Sequence, residues 1–268
     1  MIAVTDDVFA SRFAVLQDLF NGSISAQEAA ENLASISLST DPEPEGGVTR
    51  LWSLIVNCAY TFPGHHDKLV DTLVQLSRLP DAKTASGGLV LLYDMRIWKD
   101  LPMLGWQLRD EWNISVPTGP SDHRQSQILK IINRDKFTAL LMATEEAVFR
   151  YSWFALVTLR NALETPADQL SPVNPLEALI PAAAAWISTL GVEIYEWDED
   201  FNGHAGSAPG RGGPLWKGKH GFCKGRWQLW RERFGELARM GGEIGDEERR
   251  AARDAEQMMR EIEDGDVK

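Results

Sequence analysis

Cysteine is scarce. Cys58 and Cys223 are the only two in 268 residues, too few for a disulfide framework, so two reduced thiols are expected. The first residues, Met-Ile-Ala-Val-Thr-Asp-Asp, lack the basic and apolar regions of a secretory leader. No apolar run approaches the roughly 20 residues that cross a bilayer. Together these absences set the expectation of a soluble, cytoplasmic chain with no membrane partner. A basic excess is missing too: the formal net charge is −12, which argues against nucleic-acid binding, because neutralising phosphates takes a basic face.

Complete catalytic motifs are also wanting. Gly213-Pro-Leu-Trp-Lys-Gly218-Lys219 has the spacing of a phosphate-binding loop. However, His220 stands where a magnesium-holding Ser or Thr belongs, Pro214 and Trp216 stiffen the loop, and no strand pattern precedes it. His65-His66-Asp67 puts two histidines about 100° apart on a helix, a poor pair of metal ligands. Ser207 lacks the spacing of a nucleophile elbow. Cys223, flanked by Lys219, His220 and Lys224, heads an apolar stripe and reads as structural rather than as an activated thiol. Glu145, Glu146 and Glu164 read as a solvated face. No cofactor, metal or catalytic residue is therefore expected.

Helical periodicity is plentiful. Phe9, Phe13, Leu16 and Phe20 form one stripe behind Thr5-Asp6-Asp7, and Ser25 with Glu28 forms a capping box for a second helix through Ile36. Residues 37–47, with Pro42, Pro44 and Gly46-Gly47, read as a flexible linker, which would leave the first two helices a loosely docked hairpin. Thr49 is expected to cap a helix through Trp52, Ile55, Cys58 and Phe62, and another runs from about Asp67 to Leu79. The run Leu89 to Ile97 reads as helix, because a lone strand would leave its backbone groups unpaired. Pro102 takes the first position of the next helix. Gln125 to Leu163 makes one long helix or two joined near Thr144. A helix from Asn174-Pro175 through Trp186 and Ile194 is expected to bend at Pro181. Glycine-rich residues 198–214 form a long loop around His204 and Ser207. From Glu243 onward acids outnumber bases, with only a thin apolar stripe at Ala251, Ala255, Met258 and Ile262, the pattern of a solvated, fraying helix.

The densest feature is Gly212 to Leu237. Apolar side chains at 223, 227, 230, 234 and 237 hold to one helical face, giving an aromatic ridge of Trp227, Trp230 and Phe234. Basic residues fringe it, while Glu193 to Asp200 is strongly acidic, so the two segments are expected to face each other. Leu215-Trp216, Gly218, Gly221-Phe222, Arg226-Trp227, Trp230 and Arg233-Phe234 resemble the signature of a fungal family, the domain of unknown function 3632. Leu51-Trp52, Trp98-Lys99-Asp100-Leu101-Pro102 with Gly105 and Trp112, and Ala184-Ala185-Trp186-Ile187 with Gly191 fit it as well. The resemblance spans about residues 48 to 238 and brings no catalytic residue.

The sequence thus predicts an all-α fold. A main helical domain covers 48–240, with an N-terminal hairpin (1–36), the linker (37–47) and an acidic C-terminal helix (241–268). Trp and Arg dominate interface energetics. Trp216, Lys217, Lys219, Arg226 and Arg233 are accordingly the candidate contacts of a non-enzymatic interaction module. The rival reading is an enzyme or binder that holds a small anionic ligand under the 198–214 loop, on Lys219 and Arg226.

Overall fold

The computed structural model describes residues 7–39, 43–84, 86–112, 115–166, 169, 175–201, 210–241 and 244–266. Among them the fold is all-α, ten α-helices with one two-stranded hairpin. By internal contacts the chain divides into two compact units. One is Met1–Asn113 with Thr144–Arg150, the other Ile114–Ala143 with Tyr151–Lys268.

In the first unit, α1 (Asp7–Asn21) ends at Gly22, whose φ of 77° only glycine takes without strain. Thr5 and Asp6 lie outside the described residues. The capping box that opens α2 (Ala26–Ser39) is present: Ser25 N–H donates to Glu28 Oε2 at 2.8 Å, and Glu28 N–H donates to Ser25 Oγ at 3.2 Å. The hairpin is not loosely docked. Leu16, Leu19, Ala30 and Leu33 are buried, and α1 and α2 pack on α3 (Pro44–Thr61). Lys68, on α4 (His66–Ser77), donates to the carbonyls of Leu19 and Phe20 and so closes the end of α1.

The expected linker is mostly helix. Residues 37–39 finish α2, and Pro44 starts α3 with its φ already set for the first turn. Gly47 and Val48 are buried, which offsets the glycine cost. Thr49 is accordingly not a cap; its hydroxyl donates to the carbonyl of Glu45 one turn back. His66 is buried with its Nε2 2.7 Å from the Ala59 carbonyl, and His65 stacks on Phe20.

The helix expected over Leu89 to Ile97 is instead an antiparallel hairpin, β1 (Leu91–Leu92) with β2 (Met95–Arg96). Tyr93 and Asp94 both have positive φ, as a two-residue hairpin turn requires. Lys83 bridges Leu89 and Val90 N–H donates to Ala82 O, so the strand finds its backbone partners locally. Helix α5 (Leu104–Glu111) starts two residues later than Pro102 suggests. Leu101 and Met103 are left-handed on either side of Pro102, whose carbonyl accepts the indole N–H of the wholly buried Trp52 at 2.7 Å.

In the second unit, Ser121 caps α6 (Asp122–Met142), and α7 (Ser152–Leu163) is separate from it. The central helix is α8 (Leu176–Glu196), flanked by α6, α7 and α10 (Asp246–Asp264). By length and composition α8 could cross a membrane, contrary to the sequence expectation, yet Ile180, Ala183, Trp186, Ile187 and Ile194 are buried inside this unit. Its irregularity lies at Leu190 (φ −135°), not at Pro181. The next residue, Gly191, sits so close to α10 that an added Cβ would lie 2.7 Å from Ile262 Cδ1.

Helix α10 is integral rather than frayed. Its buried stripe is Ala252, Ala255, Met259 and Ile262, and Glu263 accepts the Trp227 indole N–H at 2.8 Å and the Arg231 guanidinium at 2.8 Å. A buried carboxylate, Asp135, lies beside Arg134 and accepts Trp186 Nε1–H at 2.7 Å and the Thr158 hydroxyl at 2.5 Å.

Candidate functional site

Helix α9 (Lys224–Arg239) carries the aromatic ridge as the periodicity requires: Trp227, Trp230, Phe234 and Leu237 are buried. Cys223 takes the N-cap position and makes no side-chain cap bond there. One turn in, Arg226 is buried at 0% exposure, and so is its partner, Glu164, at the end of α7. Arg226 Nε–H donates to Glu164 Oε1 at 2.6 Å, and Nη2–H to Oε2 at 3.0 Å. Glu164 also accepts the Trp230 indole N–H at 2.8 Å and Gly213 N–H at 2.7 Å. Nη1 donates to the carbonyls of Gly210 (3.0 Å) and Gly221 (2.9 Å). Such a bidentate pair, with four guanidinium hydrogen bonds made, satisfies what an isolated buried charge could not.

The consequence is a shaped loop. Glu164 takes Gly213 N–H on its carboxylate and Leu215 N–H on its main-chain carbonyl, while Arg226 holds both Gly210 and Gly221. Trp216 then lies against this loop and donates its indole N–H to Lys219 O at 2.8 Å. A Cβ on Gly212 or Gly218 would come within 2.6 Å and 2.5 Å of the Trp216 ring, and one on Gly213 within 2.7 Å of Glu164 O. The glycines that imitate a phosphate-binding spacing are thus where an indole and the main chain of Glu164 press on the backbone.

Not every residue of the sequence-derived contact set faces outward. Arg226 is no surface group, and Glu164 is no solvated acid. Arg233 is mostly covered, donating to Leu163 O at 3.2 Å and pairing with Glu236. Lys219 pairs with Asp198 at 2.5 Å, which raises its pKa chiefly through that hydrogen bond, and Lys224 pairs with Glu196 at 2.9 Å. The acids of 193–200 therefore do meet the basic segment, through Lys219 and Lys224, while Arg226 is answered by Glu164.

What stays outward is the rim of the loop. Arg211, Trp216, Lys217 and His220, with the glycines between them, line an open groove of about 500 Å³. Arg211 and Lys217 are on its rim, with no ion pair among the described residues. Behind the groove, Arg160 donates to the Arg211 carbonyl at 3.4 Å, and burial lowers its pKa from the ordinary arginine value. The sequence points to Trp216 and Lys217 but not to Arg211, which carries no periodic signal. His204 and Ser207 lie outside the described residues.

Residues 52–234 match the family described as a protein of unknown function (DUF3632), and the chain belongs to that family. No curated protein is similar enough to match. The family match runs from Trp52 to Phe234, two of the buried aromatics, and encloses the Glu164–Arg226 pair.

Proposed function

We propose that this family member is a non-enzymatic recognition module whose 211–220 loop docks an anionic group of a protein partner. The observation that carries the reading is the pair of rim cations, Arg211 and Lys217, on a loop braced from beneath by the buried Glu164–Arg226 pair. Bracing matters because a contact surface held rigid before binding loses less conformational entropy on association. Trp216 adds apolar area beside the charges, a combination found at interface anchors. Both cysteines are free, which suits a reducing, cytoplasmic setting for that partner.

The volume of the groove favours one second reading, in which the same rim holds a small free anion such as a carboxylate or phosphate compound. Fluorescence anisotropy with a labelled ten-residue glutamate peptide separates the two. The native protein should bind it saturably and more weakly in high salt, and Arg211→Gln with Lys217→Gln should weaken binding about tenfold or more. Peptide binding that survives the double substitution overturns the rim assignment. Displacement by citrate or phosphate without any peptide affinity would transfer the site to the second reading.

A further inference from the structure

The first unit carries its own cleft, remote in sequence from the 211–220 loop, of about 530 Å³. One wall is the end of α4 and the residues after it (Ser77 to Asp81), another is Arg96 with Lys99, and a third is Glu146 to Val148. The size falls within the range of small-molecule sites, roughly 300–1,000 Å³. Three cations and two carboxylates line it, and the five are not equally engaged. Arg78 is spent on Glu146. Arg96 is not: its nearest carboxylate oxygens stand off at 3.6 Å (Asp100) and 3.9 Å (Asp81), beyond charge-assisted hydrogen-bond length. Asp100 Oδ2 is instead occupied by the Arg96 main-chain N–H at 2.7 Å. Lys99 is exposed and has no ion pair among the described residues.

A half-buried guanidinium fork with loosely held donors, next to a free ammonium, is a place where a planar carboxylate fits. Leu79, Pro80 and Val148 supply apolar surface for a short hydrocarbon chain attached to that carboxylate. The backbone here is not relaxed either. Glu145, just before one wall, and Leu101, just after Lys99, are both left-handed, and strain of this kind is concentrated at functional sites.

We infer that this cleft binds a small monocarboxylate with a short apolar body. The carboxylate is held by the Arg96 fork and Lys99, and the body lies against Leu79 and Val148. This goes beyond the docking role of the second unit and uses none of its residues.

Calorimetric titration of the full chain with butyrate and hexanoate tests it, with butylamine and sulfate as controls. The expected result is saturable binding of both acids, tighter for hexanoate, and none of butylamine. Arg96→Gln should remove the binding, and Lys99→Gln should weaken it about tenfold. Arg96→Lys keeps the charge but not the fork. It should bind more weakly than the native protein and also covers the case in which Arg96→Gln fails to fold. Arg211→Gln with Lys217→Gln should leave carboxylate binding unchanged, so failure of the docking reading and failure of this one are separable. Absence of saturable binding by either acid overturns the inference, and so does binding that Arg96→Gln and Lys99→Gln leave intact. Sulfate binding as tightly as hexanoate would mean an adventitious ion only and would overturn it equally.

Discussion

A guanidinium with no access to water has to be answered by charge and acceptors within reach, and Arg226 finds all of its partners at once: Glu164, Gly210 and Gly221. None of that shows in a sequence, where Arg226 is one more base beside an aromatic stripe and Glu164 one acid at a helix end. Trp227, Trp230 and Phe234 are legible because large apolar groups at helical spacing bury wherever the partner comes from. Cys58 sits in the same legible class, and burial pushes its thiol from 9.0 up to about 12. Because the folded value is the raised one, the neutral thiol favours the native state fully below the ordinary value. That advantage drains as pH climbs from about 9 toward 12. Urea midpoints between pH 8 and 11 should therefore fall more steeply for the native protein than for Cys58→Ala; equal slopes would contradict it. Iodoacetamide at neutral pH should label Cys223 and spare Cys58 in the folded protein, since only Cys58 is fully buried.

Elements are legible where one helix explains its own pattern and obscure where neighbours decide. The Ser25–Glu28 box is a local signal and holds. The Leu89 to Ile97 hairpin is hidden because its backbone partners are a two-residue turn of Tyr93-Asp94 and the 82–84 segment, with no glycine signal at the turn itself. Asp94 at φ 62° is a non-glycine residue in a glycine conformation. Asp94→Gly should raise stability by up to about 1 kcal/mol in thermal or urea unfolding, and a loss would mean that the side chain is needed. The irregular point in α8 lies beside α10 rather than at Pro181. Gly191→Ala should cost about 1–2 kcal/mol by overpacking against Ile262. Ile262→Val, which removes Cδ1, should recover part of that loss in the double variant; strictly additive costs would refute the contact.

At the scale of the whole molecule, helical class and family are legible, whereas the grouping of the helices is not. Periodicity reports which residues go inside, but not which helices share an inside. Residues 144–150 belong with the first unit although the flanking helices α6 and α7 belong to the second. The acidic C-terminus misleads in a similar way. Its charge is real, but α10 still has an inner face of Ala252, Ala255, Met259 and Ile262 that closes on α8 and α9, with Glu263 bonded to α9 beside it.

Arg226 braces the loop, and the docking edge proposed for Arg211 and Lys217 depends on that brace. Equilibrium urea unfolding of Arg226→Gln tests this most directly. Leaving Glu164 buried without its partner should cost about 3–5 kcal/mol, seen as a large drop in the unfolding midpoint. An Arg226→Gln protein as stable as the native one would show that the pair does not build the loop.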